Sequence, residues 1–381
     1  MRSVNPTILL REALLYLWRA TTLFFVSTYL FSIPLGFFVM LLSQGGSEFS
    51  QTSTGNLPVG LFTIFVVRLP LTATFGTVFV LVSTIYALCF AVAWRINGGF
   101  IQALRGKIPQ RPTSASSNLL FILPVLSSSI LVLVALIQGL QETAGLPTGS
   151  IEFANPYRGL FELAYSPIFE EVMYRISPFA AYYVVNIGLT LSAKGESNAK
   201  SYLKSVSLSI AFPDRAKEVS GSPNIRTNGI LRGVNRAEWA LVALTSVVFG
   251  LAHYLSGSGW EIGKITSSSI AGLAFSLAYL TFGFHAPILL HWFFNYYPYI
   301  YEVAAQNYDG IFGSLEELAN LSVELVGLAA ILAFSIYLVR RIVRGVFTTT
   351  GLEVKKEEHN DSTAFRRPIE PMKDLKVERL G

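Results

Sequence analysis

Long apolar runs recur along the whole of this 381-residue sequence. A helix rises ~1.5 Å per residue and the hydrocarbon core of a bilayer is ~30 Å thick, so about 20 apolar residues are enough to cross it. Eight runs approach or exceed this length: Thr21–Leu42, Leu71–Trp94, Leu119–Leu140, Leu160–Leu191, Trp239–Leu255, Ile265–Phe284, Ala286–Ala305 and Leu321–Leu338. The sequence therefore predicts an all-α, polytopic membrane protein with about eight transmembrane helices.

The composition agrees with a chain that is solvated largely by lipid. Hydrophobic residues make up 52% of the sequence and charged residues 14%, whereas soluble domains have about 25% charged residues. The net charge of +5 comes from basic residues that flank the apolar runs. This placement favours a role in membrane topology over nucleic-acid binding. The single cysteine, Cys89, excludes a disulfide framework and a metal cluster built from thiolates.

The basic residues alternate between successive connecting segments. Residues 43–60 and 141–157 contain no lysine or arginine, whereas residues 95–111 contain four and residues 194–236 contain eight. Because cytoplasmic loops carry the excess of basic residues, both termini are predicted to be cytoplasmic, as an even number of spans requires. We expect the protein in the cell membrane, or in the endoplasmic reticulum membrane if its source is eukaryotic.

The same patterns predict the domain organisation. Residues 1–345 are expected to form the transmembrane domain, interrupted by a polar, basic and flexible cytoplasmic loop at 192–235. Residues 346–381 are charged and are expected to form a disordered tail. The fourth apolar run is too long for one straight span, and Pro167 and Pro178 within it predict a kink or a break.

The fourth run contains ionisable side chains, which are costly in a membrane and usually retained for function. They are Glu170, Glu171 and Arg175. Glu171 and Arg175 are four residues apart, so a helix places them on one face, where they can neutralise each other. We therefore expect this pair to be structural and Glu170 to be left without a charged partner.

Two further runs carry polar side chains at helical spacing. Phe249 and His253 are four residues apart, which puts the phenylalanine ring against the imidazole. His291 and Asn295 are also four apart. Two polar groups on one helix face can aim at a single oxygen atom, which is the geometry of an oxyanion hole.

Together these residues predict a hydrolytic site. Glu170, with His253 as its partner, would hold and deprotonate a water molecule, and Tyr174, one turn after Glu170, would orient the carboxylate. His291 and Asn295 would stabilise the tetrahedral intermediate of peptide-bond cleavage. One geometric difficulty accompanies this hypothesis. Uniform straight spans place His253 near the exterior end of its helix and His291 near the cytoplasmic end, so the two imidazoles are expected at different depths.

The three motifs EExxxR, FxxxH and HxxxN, in this order and each within an apolar run, resemble the CAAX protease and bacteriocin-processing (CPBP) family, which includes the Ras-converting CAAX prenyl endopeptidases. The resemblance covers about residues 160–299. It implies an eight-helix membrane fold and an intramembrane protease that uses a glutamate-activated water. The catalytic residues that it implies are Glu170, His253, His291 and Asn295, and it implies a structural part for Glu171 and Arg175.

The resemblance also implies a substrate class. It suggests a protein or peptide substrate, prenylated for part of the family, that is cleaved near its C-terminus in contact with membrane lipid. Two features depart from the pattern. Ile176 stands where many relatives have glycine after the arginine, and the basic loop between the first and second motifs is long. Both departures put the identity of the substrate in doubt.

Two alternatives compete with this interpretation, a different catalytic mechanism and a function outside the enzymes. Glu170, His253 and His291 could bind zinc, since one carboxylate and two imidazoles are typical of a catalytic zinc site. The sequence has no HExxH motif, and Asn295 is better explained as an oxyanion donor, so we expect a metal-free mechanism without a cofactor. The alternative outside the enzymes is a non-catalytic membrane scaffold or a proton-coupled transporter that uses the buried Glu and His residues.

Overall fold

The computed structural model describes residues 6–70, 72–106, 118–193, 199–308 and 310–349. The chain divides into two units. Residues 1–333 form the first unit, and the described part of the second, residues 334–349, is the end of the last helix. Most of the predicted tail, 346–381, thus lies outside the described residues.

Helices dominate the described elements. In chain order they are α1 (Pro6–Phe37), a π-helical turn (Phe38–Leu42), α2 (Gln44–Ser50), β1 (Asn56–Leu61), β2 (Phe65–Pro70), α3 (Phe75–Arg95), α4 (Phe100–Arg105), α5 (Leu119–Thr143), α6 (Pro156–Glu171), a second π-helical turn (Val172–Ile176), α7 (Ser177–Ala193), α8 (Ala199–Ala211), α9 (Pro213–Ser220), α10 (Ile225–Asn228), α11 (Ile230–Gly233), α12 (Arg236–Leu255), α13 (Lys264–Phe282), α14 (His285–Tyr308) and α15 (Ile311–Thr349).

Six of the described helices are long and apolar enough to cross a membrane: α1 as Glu12–Leu42, α3, α5, α12, α13, and α15 as Ile311–Val343. This confirms the prediction of an all-α polytopic membrane protein. The fourth and seventh predicted spans correspond to α6–α7 and α14, which are long helices but are not among these six. Helices α6 and α7 contain only 16 and 17 residues, and polar residues such as His291 and Asn295 lower the hydropathy of α14. The orientation in the membrane stays a prediction.

Helix α14 lies at the centre of the bundle, against α1, α3, α5, α6 and α13. Tyrosine hydroxyls form hydrogen bonds between α14 and a neighbouring helix, with backbone carbonyls as the acceptors. Tyr29 of α1 donates to the carbonyl of Leu289, and Tyr301 of α14 donates to the carbonyl of Thr28 at 2.7 Å. Between helices, Tyr86 stacks on Trp292 with ring centroids 3.8 Å apart. Buried tyrosines need a partner for the hydroxyl, so each such contact fixes one helix against the next.

The predicted break in the fourth run is the π-helical turn Val172–Ile176. Pro178 has no backbone N–H and its ring collides with the carbonyl four residues earlier, so the regular helical pattern cannot continue through it. The chain accommodates the proline with a wider turn, in which the N–H of Ser177 bonds to the carbonyl of Val172. Pro167 lies within α6 without ending it. Such π turns are frequent at functional sites.

The flexible loop predicted at 192–235 is wrong for its described residues, which form α8 to α11. Their apolar residues pack with α7, α12 and α13 in a second core that includes Phe179, Ala216, Ile225 and Tyr279. The prediction assumed that the basic residues of this segment are exposed to solvent, but one of them is buried. Lys217 is 4% exposed and donates to Glu238 at 2.8 Å and to the carbonyl of Gly233.

The ion pair of Lys217 and Glu238 connects these helices to α12. Glu238 also caps α12, since its Oε2 accepts from the N–H of Asn235 at 2.8 Å while the Asn235 side chain accepts from the N–H of Glu238. This capping box satisfies two backbone donors at the helix start. The start of the helix that carries His253 is thus attached to the folded segment before it.

We expect Lys217→Met to lower the free energy of unfolding by about 3–5 kcal/mol, because it leaves the Glu238 carboxylate buried without its cation. Lys204→Met, at an exposed lysine of α8, should change it by less than about 0.5 kcal/mol. Thermal unfolding of both variants in the same detergent measures the difference. Equal stabilities would show that the buried pair contributes nothing to the fold.

Candidate active site

The buried carboxylate of Glu171 lies at the centre of the candidate site. Its Oε1 accepts from Nη1 of Arg175 at 3.1 Å and from Nδ1 of His291 at 2.8 Å. The side chains of Glu171 and Arg175 are fully buried, and that of His291 is 4% exposed. Because a carboxylate only accepts hydrogen bonds, Nδ1 of His291 must carry the proton. Glu171 therefore fixes both the orientation of this ring and the nitrogen that faces the site.

The other ring nitrogen, Nε2 of His291, faces Glu170 and Asn295. It lies 3.7 Å from Oε2 of Glu170 and 3.2 Å from Nδ2 of Asn295. The Asn295 amide also donates to Oγ of Ser166 at 3.2 Å. Spacing along α6 and α14 explains the meeting, because Ser166 and Glu170 are four apart, as are His291 and Asn295, so two helix faces oppose each other. The structure thus brings Glu170, His291 and Asn295 together.

Aromatic rings enclose the guanidinium of Arg175. Its Cζ lies 4.0 Å from the centre of the Phe249 ring and 5.5 Å from that of Phe275. Such cation–π contacts stabilise a cation that is removed from water. Gly272 of α13 makes room for this packing, since an added Cβ there would lie 2.9 Å from Nη2 of Arg175 and 3.0 Å from a carbon of Phe249.

His253 reaches the same region but does not join the hydrogen-bonded cluster. Its Nδ1 lies 2.9 Å from the carbonyl oxygen of Phe249. The Phe249 ring stands between the two imidazoles, 4.6 Å from that of His253 and 5.8 Å from that of His291. The expected difference in membrane depth between the two imidazoles stays a prediction. The predicted packing of Phe249 on His253 is confirmed.

A cleft of about 360 Å³ opens beside these residues, lined from α5, α12, α13 and α14. His253, His291 and Asn295 lie in its wall together with Lys264. The charge of Lys264 interacts with that of Glu170, and its ammonium lies 3.6 Å from the centre of the Trp260 ring. The cleft is therefore polar on the side formed by His253, His291, Asn295 and Lys264.

Sequence reasoning missed several contacts of this site. It assigned Glu171 to Arg175 alone, although His291 shares the same oxygen, and it did not include Ser166 or Lys264. The described contacts of Tyr174 are with the ring of Phe249 at 5.3 Å and with Arg175, so its predicted role as the residue that orients Glu170 finds no hydrogen bond there. Ser166 could have been included from the sequence, because it lies one helical turn before Glu170 and therefore on the same helix face.

The residues of the alternative zinc site do not converge. Among the described residues no three His, Cys, Asp or Glu side chains gather as a metal site would require. Glu170 and His291 are neighbours, but His253 lies beyond Phe249.

We expect Gly272→Ala to lower the free energy of unfolding by about 1–3 kcal/mol, because the added methyl group displaces Arg175 or Phe249 from a closely packed position. The matched control is Gly139→Ala in α5, where an added Cβ would meet nothing within 4 Å. There the change should be neutral or stabilising by up to about 1 kcal/mol. Thermal unfolding of the two variants decides, and a destabilised control with an unaffected Gly272→Ala would contradict the packing described.

Comparison with known proteins found a similarity to a family model in the region of this site. The family model described as "Type II CAAX prenyl endopeptidase Rce1-like" matches residues 153–297. This region contains α6, α7, α12, α13 and the candidate residues of α14. No curated protein and no solved structure matches the chain.

Proposed function

Because residues 153–297 match the model of the Rce1-like type II CAAX prenyl endopeptidase family, we propose that this multi-pass membrane protein is an intramembrane endopeptidase that cleaves a peptide bond with a water molecule activated by Glu170. The observation that carries the proposal is the meeting of Glu170, His291 and Asn295 from two helices beside a polar cleft. A carboxylate that faces water and two polar groups that face the same point are what hydrolysis of an amide requires.

Glu170 is the general base of this mechanism. Its side chain is 19% exposed, and its Oε2 accepts no hydrogen bond from the described protein groups. A water molecule bound to the exposed part of this carboxylate can give up its proton as it attacks the carbonyl carbon. His253 supports the same water from the other side of the cleft. Because Nδ1 of His253 faces a backbone carbonyl and must donate to it, its Nε2 is left as an acceptor.

His291 and Asn295 stabilise the oxyanion. The Asn295 amide is a donor, whereas His291 can donate from Nε2 only if both of its nitrogens are protonated, since Nδ1 is bound to Glu171. In that state the imidazole and the Asn295 amide both direct N–H groups at the point where the oxyanion forms. The proton that Glu170 takes from water can then pass to the leaving amine.

The proposed substrate is a membrane-associated polypeptide, cleaved near its C-terminus. The matching family is described as CAAX prenyl endopeptidases, and we extend this to a prenylated substrate for this chain. The cleft is lined in part by apolar side chains, among them Val134, Phe275 and Phe294, which are compatible with a peptide that carries a lipid group.

The decisive experiment uses the full chain in lipid vesicles with a panel of prenylated and unmodified peptides. Glu170→Gln keeps the size of the side chain but removes the base, so cleavage should fall to background. Cleavage by wild type should persist with metal chelators. Loss on chelation with recovery on adding zinc would favour the metal alternative, and full activity of Glu170→Gln would refute the proposed base.

Asn295→Ala should lower kcat by about 10²- to 10³-fold, because one oxyanion donor is lost. Asn307→Ala is the matched control, since Asn307 lies three turns later on α14 and binds Tyr157. Peptide cleavage kinetics of the two variants separate the protease from a proton relay. A relay or scaffold would tolerate both changes alike.

A further inference from the structure

A β-hairpin lies on the outside of the bundle next to the helix that carries Glu170. β1 and β2 pair antiparallel from Asn56 with Pro70 to Leu61 with Phe65. At the tip, the N–H of Thr63 bonds to the carbonyl of Met173 at 3.0 Å and the N–H of Phe62 bonds to Oγ of Ser177 at 2.8 Å. No sequence prediction anticipated this element.

The hairpin follows α6 to the depth of the site. Near its base, the hydroxyl of Tyr165 donates to the carbonyl of Pro58. Its tip binds Met173, which lies 17 residues after Pro156, the start of α6. At ~1.5 Å per residue, that contact is about 25 Å along the helix. Gly60 permits the approach, since a Cβ there would lie 2.6 Å from the sulfur of Met173.

The outer strand β2 has a free edge. All six of its residues are exposed, and its described partner is β1 alone. Its side chains are apolar except for one, with Phe65 58%, Val66 50% and Val67 47% exposed. Apolar side chains suit lipid, but the backbone N–H and C=O groups of an open edge do not, because each unsatisfied group in hydrocarbon costs several kcal/mol. An apolar strand with an open edge is therefore suited to pair with a further strand along that edge.

We propose that β2 is the docking strand for the extended segment of the substrate, which pairs with this edge and leads into the site beside it. The inference rests on the proposed function. An added strand gains main-chain hydrogen bonds at the edge and places alternate side chains on the two faces of the ribbon. The tip contacts the turn that directly follows Glu171, so a paired peptide runs past the helix that carries the catalytic base.

Arg68 identifies the chemistry of the peptide. It is the only charged residue of the hairpin and it is exposed on β2 between Val67 and Leu69. A cation in apolar surroundings is costly unless an anion pairs with it. A carboxylate of the peptide, either at its C-terminus or on an acidic side chain, is the complementary group. A guanidinium binds a carboxylate in a bidentate manner.

The test is cross-linking in the inactive Glu170→Ala background, so that docking is measured without cleavage. Single cysteines replace Val66 or Val67, and the probe is a membrane-bound peptide with one cysteine. Adjacent strand residues point to opposite faces, so one variant should form a disulfide with the peptide. Moving the peptide cysteine by one residue should transfer the disulfide to the other variant. Val80→Cys, an exposed position on α3, is the matched control and should form none.

Each outcome decides the inference. The alternating pattern supports docking on β2 even if wild type cleaves no peptide, which would refute only the proposed function. Cleavage by wild type without the pattern overturns the docking strand. Disulfides between two protein chains in place of the peptide also overturn it, because the edge then pairs with a second copy.

Arg68→Gln tests the carboxylate in the active protein. With a peptide that ends in a free acid, KM should rise about tenfold or more, since a charge-assisted hydrogen bond is lost. With the same peptide ending in an amide, wild type and variant should have equal KM if the C-terminal group is recognised. An amidated peptide with an internal aspartate tests whether Arg68 binds the carboxylate of an acidic side chain instead. Equal KM of wild type and variant with all three peptides would overturn the role of Arg68.

Discussion

The site depends on one buried oxygen atom, Oε1 of Glu171, which binds both Arg175 and His291. A buried carboxylate is tolerated only when charges and hydrogen bonds compensate for its lost hydration. The hydrogen bonds that compensate Glu171 also join the π-helical turn after α6 to the central helix α14. The adjacent Glu170 lies on the other side of the His291 ring, 3.7 Å from its Nε2. The two neighbouring glutamates thus have different surroundings, since Glu171 is fully buried and holds His291 in place, whereas Glu170 is partly exposed.

The fold was predictable to the extent that apolar run length decides it. The spans corresponding to α3, α5, α12 and α13 are clear in the sequence, because lipid imposes both length and composition on them. The apolar signal of α6 and α14 is weaker, because polar residues of the candidate site take the place of apolar ones in these helices. The hairpin β1–β2 could not be foreseen, because its apolar strands lie beside a membrane span and have the same composition as one.

The candidate site was predictable where one helix supplies both partners. Spacing of four residues gave the contact between Glu171 and Arg175 and the shared face of His291 and Asn295. Spacing could not predict the contacts between helices, because the rotation and relative height of two helices follow from packing that no single helix specifies. Phe249 shows this limit. Its contact with His253 follows from spacing, whereas its position between His253 and His291 follows from the packing of α12 against α14 and α13.

The π-helical turn Val172–Ile176 gives one membrane helix two orientations. A turn of this kind contains one residue more than an α-helical turn, so everything after it is rotated by about 100° relative to a continuous helix. Residues of α6 are therefore directed to α14, while those of α7, such as Phe179 and Tyr183, are directed to the core formed with α9 to α13. A single chain segment can in this way belong to the bundle that contains the candidate site and, a few residues later, to a separately packed layer, without a loop between them.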